Sequence, residues 1–402
     1  MAILRSFTRR ASKDDRNWSE MRRLGLVILV LGLWFSTQTA QAEWTTAKRI
    51  TWTSGYSLAP AIAIDPGHTL HVVWYDNTPG NYEIYYKKST NGGSTWSAAQ
   101  RLISNSGESS SPAIAIGMDN SINVVWEDST PGNYEVYYRR SADGGSTWNT
   151  AQRLTWNSSQ SRDPAISNDA DNGIHVVWYR YTLGNVEIHY RKSADGGSTW
   201  NTAQRLTWTS GNSYDPAISA DSAQNVRIVW YDSTAGDYEI YYKCSLDGGT
   251  TWSPAKRLTW NSGSSCYPAI DTALDGTIHV VFWDATPGNN QIHHMRSSDE
   301  GSTWSMPKRL TWTLGAAYDP AIAIDSNKYV HVVWYDATAG NYAIYYKRSA
   351  DGGLTWGSSQ KLASNLSTSL NPAIAVDSVD TLHIVWRDAA PGNYEIYYKN
   401  GK

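Results

Sequence analysis

One interval governs this sequence. Pro-Ala-Ile recurs at Pro60, Pro112, Pro164, Pro216, Pro268, Pro320 and Pro372, and every step is 52 residues. Trp74, Trp126, Trp178, Trp230, Phe282, Trp334 and Trp386 keep the same interval, as do Gly80, Gly132, Gly184, Gly236, Gly288, Gly340 and Gly392. No insertion or deletion breaks the register. A fixed period of this size means that each unit is one supersecondary element buried by its neighbours, as in a solenoid or a propeller.

Within a unit the apolar period is two rather than 3.6. Ala61 to Asp65 reads as a short strand A, Leu70 to Asp76 (LHVVWYD) as strand B, Glu83 to Lys88 (EIYYKK) as strand C and Gln100 to Ser104 as strand D. Val, Ile, Tyr and Trp fill these runs, and Gly, Pro, Asn and Ser fill the joints between them. Four antiparallel strands repeated radially make a propeller blade, whereas a solenoid usually has shorter repeats and open, capped ends. The chain ends decide between the two. The last copy stops at Lys402, after its strand C, while Trp44-Thr45-Thr46-Ala47-Lys48-Arg49-Ile50 matches Trp96-Ser97-Ala98-Ala99-Gln100-Arg101-Leu102 one period later. A strand D without a blade therefore precedes a blade without a strand D. Joining them removes both exposed edges. The predicted fold is an all-β, seven-bladed β-propeller of four-stranded antiparallel blades over residues 43–402, closed by the N-terminal strand completing the last blade.

Residues 1–42 read as an N-terminal extension and secretory signal peptide. Arg22 and Arg23 precede an apolar run from Leu24 to Phe35, and Ala40-Gln41-Ala42 is a small-x-small cleavage site. The run, about 12 residues, is shorter than a membrane span, although a retained anchor is the alternative. Met21 is a second candidate start. Cleavage after Ala42 implies a secreted, periplasmic or cell-surface protein with no stable membrane span. The two cysteines, Cys244 and Cys266, fall toward opposite ends of their blades. Strands of about six residues separate those ends by roughly 20 Å, so no disulfide is expected. With 34 basic and 37 acidic residues and no charge run, the sequence gives no footprint for nucleic acid.

Between strands C and D six copies carry Ser-x-Asp-x-Gly-x-Thr-Trp: Ser141 to Trp148, its counterparts from Ser193, Ser245, Ser297 and Ser349, and a first copy with Asn91 at the Asp place. An Asp side chain capping backbone N–H groups, Gly at positive φ and a Trp beneath give a tight turn. The segment resembles the Asp-box, or BNR repeat, of the sialidase-like propellers, across the whole of residues 43–402. The resemblance implies the fold; Asp-boxes also occur in glucanases, sorting receptors and non-catalytic propellers. Sialidases add a Phe/Tyr-Arg-Ile-Pro segment, an arginine triad, a Tyr–Glu pair and an Asp acid/base. Here only Arg162-Asp163-Pro164 places an arginine two residues before a strand A proline, and the complete set is not assembled.

Antiparallel order puts the D–A and B–C connections on one face and the Asp-boxes on the other. The first face repeats groups suited to sugars, with indole plates for apolar ring faces and carboxylates and amides for hydroxyls. The candidate ligand residues are Trp52, Tyr75, Asp76, Asn81, Tyr82 and Glu83, then Trp208, Asp232, Asp237, Tyr238 and Glu239. The series continues with Trp312, Asp336, Asn341 and Tyr342, then Asp388, Asn393, Tyr394 and Glu395, and Trp156 and Trp260 complete the indoles. Turn-forming and interblade packing would select the same residue types. An enzyme needs one site of unlike groups. The departures from the repeat, Glu127, Arg162, Arg180 and Arg387, are the catalytic candidates, with a carboxylate-binding pocket at Arg162 and Arg180 beside Glu127. His71, His175, His279, His331 and His383 recur at the start of strand B and are expected to bond between blades. No cofactor or metal is implied. The expected function is multivalent, lectin-like binding, with a sialidase-like exo-glycosidase or a protein scaffold as alternatives; the partners are glycans or extracellular and envelope proteins.

Overall fold

The computed structural model describes residues 42–402, except residues 222, 287, 339 and 364–366; the segment expected to be a signal peptide lies, apart from Ala42, outside the described residues. All secondary structure there is β, in seven four-stranded antiparallel sheets. Blade one holds strand A at Ser57–Ile64, B at Leu70–Asp76, C at Glu83–Ser89 and D at Gln100–Arg101. Each A strand touches the A strands of both neighbours, and that of blade one touches Ser369–Val376 of blade seven. The A strands thus form an inner ring, and the apolar clusters lie between successive blades.

The ring closes as expected. Lys48–Arg49 is the outer strand of blade seven, with Lys48 opposite Tyr398 and Arg49 opposite Tyr397, and Trp44 bridges Gly401. Ile50 is 1% exposed and its N–H donates to the Ile396 carbonyl at 2.8 Å. Both cysteines are free.

Two strands differ from the expected bounds. Strand A begins at Ser57 rather than Ala61, because its register slips between Leu58 and Ala61. Ala59 enters the left-handed region (φ 42°), and Pro60, which has no N–H to give a ladder, occupies the bulge. Strand D is two residues long, not five, although the Leu102 N–H still reaches the Ile84 carbonyl at 2.7 Å.

The Asp-box clamps neighbouring blades. In blade two the Asp143 carboxylate accepts from the Thr147 N–H and hydroxyl at 2.8 and 2.6 Å, and Ser141 Oγ accepts from the Gly145 N–H at 2.8 Å. Trp148 then meets Tyr86 of blade one edge-to-face at 5.1 Å. A Cβ on Gly145 would lie 2.1 Å from the Tyr86 hydroxyl, so only glycine fits. The strand B histidines bond within their own blade, not between blades. His71 meets the Tyr86 hydroxyl at 2.7 Å and Asp65 at 3.3 Å, because a side chain two strand positions from the turn reaches its own hairpin first.

The repeat also exposes a local defect. In six blades a buried serine hydroxyl opens strand A, and in five of them its bond to the B–C aspartate is seen at 2.6–2.8 Å, as in Ser57–Asp76 and Ser109–Asp128. Blade six has Ala317 instead, and the buried Asp336 Oδ2 has no partner among the described residues. Ala317→Ser adds one hydroxyl at a matched position. It is expected to stabilise the protein by about 1–2 kcal/mol, since an orphaned buried acceptor costs about that much; differential scanning calorimetry checks it.

Candidate functional site

Hydrogen bonds place the two loop families on one face. The Tyr56 N–H of the D–A loop donates to Asn77 Oδ1 of the B–C loop at 2.7 Å, and Asn81 reaches the carbonyls of Asn105 and Gly107 in the next D–A loop. The repeated carboxylates serve this scaffold. Asp76, Asp232, Asp336 and Asp388 are buried and cap their own B–C loops; the Thr78 N–H donates to Asp76 at 2.8 Å. Glu83, Glu239 and Glu395 are buried too, paired with Arg101, Arg257 and Arg49 at 2.6–2.7 Å and accepting the Asn105, Asn261 and Thr53 N–H groups. Asn393 repeats the role of Asn81, reaching the Thr53 carbonyl at 3.0 Å and that of Gly55. Asp237 and Asn341 stand exposed at the corresponding place. The tyrosines form edge-to-face pairs, Tyr75 with Tyr82, Tyr231 with Tyr238, and Tyr335 with Tyr342, at 5.1–5.2 Å, all half-buried except the buried Tyr231.

The indoles are what the face presents. Trp52, Trp156, Trp208, Trp260 and Trp312 are 64–70% exposed, each following the strand D of one blade and reaching toward strand C of the next. The arginine three residues earlier lies 5.6–6.0 Å from each ring centroid: Arg49, Arg153, Arg205, Arg257 and Arg309. Four of the five rings have a second cation, Lys87, Arg191, Lys243 or Lys347, from strand C of the next blade. These contacts hold the indoles as shelves at the blade junctions. Ser104 and Ser364 stand at the two remaining repeat positions.

A second, asymmetric feature sits at the axis. The residue before each strand A proline has φ between 42° and 53°: Ala59, Ser111, Asp163, Asp215, Tyr267, Asp319 and Asn371. Together with the prolines they line a cavity of about 370 Å³. Burial, then the nearby Asp163, pushes the Asp215 carboxyl up to about 8, and burial takes Asp319 to about 6. Burial and mutual repulsion raise both members of the Asp163–Asp215 pair above the usual carboxylate range. Repeat reading did not single these carboxyls out; the one signal for them is that the position before an invariant proline differs among otherwise similar copies.

The catalytic candidates divide. Arg162 grips Glu127 through Nη2 at 2.8 Å and Nε at 3.2 Å and lies 4.2 Å from the Tyr134 ring. Arg387 covers the Tyr394 ring at 4.8 Å. Arg180 stands opposite Ser161, whereas Arg162 stands opposite Tyr179, so the two arginines emerge on different sides of blade three. The expected joint pocket of Arg162 and Arg180 does not form. Among the described residues no group of three or more His, Cys, Asp or Glu is placed to hold a metal ion, and no helix is long and apolar enough to cross a membrane.

A family model described as a BNR repeat-like domain matches residues 30–280 and 231–400. A sialidase of Bacteroides fragilis is 25% identical over 233 residues, which is 51% of this chain and 42% of that protein. A xyloglucanase of Hypocrea jecorina is 24% identical over 282 residues, 61% of this chain and 32% of that protein. The chain thus spans less than half the length of either curated relative. Among solved structures, an ulvan lyase bound to its saccharide superposes with a TM-score of 0.64 at 9% identity, covering 87% of this chain and 95% of that one. The matched sequence, the box turns and the closed ring agree: this chain belongs to the BNR repeat-like family of sialidase-like β-propellers.

Proposed function

We propose that this protein is a non-catalytic, multivalent carbohydrate-binding propeller, lectin-like, that works outside the cytoplasm after export on a signal cleaved behind Ala42. The observation that carries the reading is the set of five exposed indoles held alike at blade junctions. A planar aromatic face packs on the C–H face of a pyranose, and half-buried tyrosines nearby offer hydroxyls. Burial of the neighbouring Asp and Glu narrows the ligand contacts to these aromatic groups and the loop backbone. The relatives named above as a sialidase, a xyloglucanase and an ulvan lyase support glycans as the ligand class. Single shelves of this openness bind weakly, and several acting together on a polymer gain avidity. A glycan array printed at graded density tests this. Retention should rise steeply with density, and absence of binding to every polyvalent glycan would overturn the reading.

A second reading, an exo-glycosidase, is favoured by the unlike groups at the axis, where Asp163, Asp215 and Asp319 line one cavity and burial raises their carboxyls. Release of fluorophore from a sialoside, abolished by Asp215→Asn in the axial cavity, would establish it in place of the first.

A further inference from the structure

One blade junction departs from the other six. At those six, a Lys or Arg of strand C donates to a buried backbone carbonyl of the preceding blade: Lys87 to Ile50, Arg139 to Leu102, Arg191 to Leu154, Lys243 to Leu206, Lys347 to Leu310 and Lys399 to Leu362. Between blades four and five the cation is replaced by Met295, and among the described residues no donor reaches the carbonyl of Leu258. A buried, unpaired carbonyl is costly, so it is a position that a ligand donor would satisfy.

The same junction holds a cavity of about 330 Å³, lined by Leu258, Trp260, Met295, Trp304 and Met306 among others. That volume lies within the range of small-molecule sites, about 300–1,000 Å³. The cavity opens to solvent past Trp260, 70% exposed, and Met306, 84% exposed. Its charges are balanced as at the other junctions. Arg257 is paired with Glu239 at 2.6 Å, and Lys256 donates to the Gly301 carbonyl at 3.1 Å. The junction therefore keeps the indole, the acceptor and the paired arginine, and lacks only the ammonium group that Lys87, Lys243 and Lys347 place 5.3–6.0 Å from their own indole.

We propose that the cleft between blades four and five binds a sugar bearing a protonated primary amine, whose ammonium group donates to the Leu258 carbonyl beside Trp260. Its ring lies on the indole, and its apolar edge meets Met295 and Met306. The proposal deepens the glycan reading of the tryptophan shelves and rests on it.

Isothermal titration of the full propeller with a glucosamine oligosaccharide, its N-acetylated counterpart and a glucose oligosaccharide tests it, at a pH where the amine is protonated. The amine form should bind about tenfold more tightly than either neutral form, a difference of about 1.4 kcal/mol. Met295→Lys, which restores the residue found at four other junctions, should erase that preference while leaving binding at the other shelves. Lys243→Met should create a second amine-preferring site beside Trp208; this gain keeps the test informative if the Met295 variant folds poorly. Equal affinities for the three sugars, with binding still lost in Trp208→Ala and Trp260→Ala, would overturn the amine site and leave the shelves standing. A preference indifferent to both Met295→Lys and Lys243→Met would overturn it too. No binding of any sugar would overturn both.

Discussion

A chain that starts at Thr53 is expected to melt at least about 10 °C below one that starts at Glu43, or to aggregate on expression. The ten residues removed carry the outer strand of blade seven, and their loss leaves Glu395 buried without Arg49, Thr51 and the Thr53 N–H in its native position. Removing one side of a buried ion pair costs about 3–5 kcal/mol, and losing Ile50 from the core costs roughly 2 kcal/mol more. Trp44 also leaves its edge-to-face contact with Tyr346, 4.9 Å away, and its bond to Gln360 at 2.6 Å. Strand C of blade seven, Glu395–Gly401, then becomes a free edge able to pair with another chain. Thermal unfolding of both chains side by side measures the difference, and a synthetic peptide of residues 43–52 should restore part of it in trans. Equal melting temperatures would mean that the ring is closed by some other contact.

The second large effect is acid destabilisation. Burial lowers the pKa of His71, His175, His331 and His383 in their blades, takes His189 and His279 to about 4, and drives His294 well below its ordinary value. These rings are neutral in the fold and protonated in the unfolded chain once the pH falls below about 6.5. Unfolding then takes up protons, so the histidine contribution is flat above that pH and stability from it declines between about 6.5 and 4. A shift from 6.5 to about 4 corresponds to about 3 kcal/mol lost per histidine by the bottom of that window. Asp215 works in the opposite sense, since its raised carboxyl favours the fold more as the pH falls from about 8 toward 4.

Blade five isolates the histidine effect. His279 and His294 stack with centroids 5.2 Å apart and share a hydrogen bond of 3.0 Å, where blade two has Asn123 accepting from the Tyr138 hydroxyl at 2.7 Å. The double variant His279→Asn/His294→Tyr imports that pair. Its melting temperature should equal that of the parent at pH 7.5 and exceed it increasingly toward pH 4.5. Parallel melting curves across that range would show that the histidine pair does not titrate on unfolding.

Much of this architecture is legible in the sequence because the repeat constrains it heavily. Seven copies in unbroken register give the blade count. The match of Trp44–Ile50 to Trp96–Leu102 gives the closure, and LHVVWYD at Leu70–Asp76 has the bounds of strand B to the residue. The bulge at Ala59–Pro60 is less legible, because a proline reads as a strand boundary until the ladder is seen to step around it. The D–A/B–C face divides in the same way. Trp52 and its counterparts stand exposed on the face where the order of strands puts them. Asp76 and Glu83, from the same loops, turn inward, since an Asp that caps a loop and an Asp that grips a hydroxyl are the same letter. Met295 looks like ordinary drift in a column of lysine and arginine, and only the uncapped Leu258 carbonyl gives it meaning.

The central claim is that the five indoles are the glycan-contacting groups. The most direct measurement is retention on a dense glycan surface as Trp52, Trp156, Trp208, Trp260 and Trp312 are changed to Ala one after another. Because each is exposed, a single substitution should cost stability only about 0.5–1 kcal/mol for each cation–π contact it removes, so losses of retention by variants that melt near the parent report binding rather than folding. Retention should fall with every substitution and drop by more than about 100-fold when all five are gone, since avidity compounds the individual sites. A protein lacking all five indoles that is still retained like the parent would contradict the account.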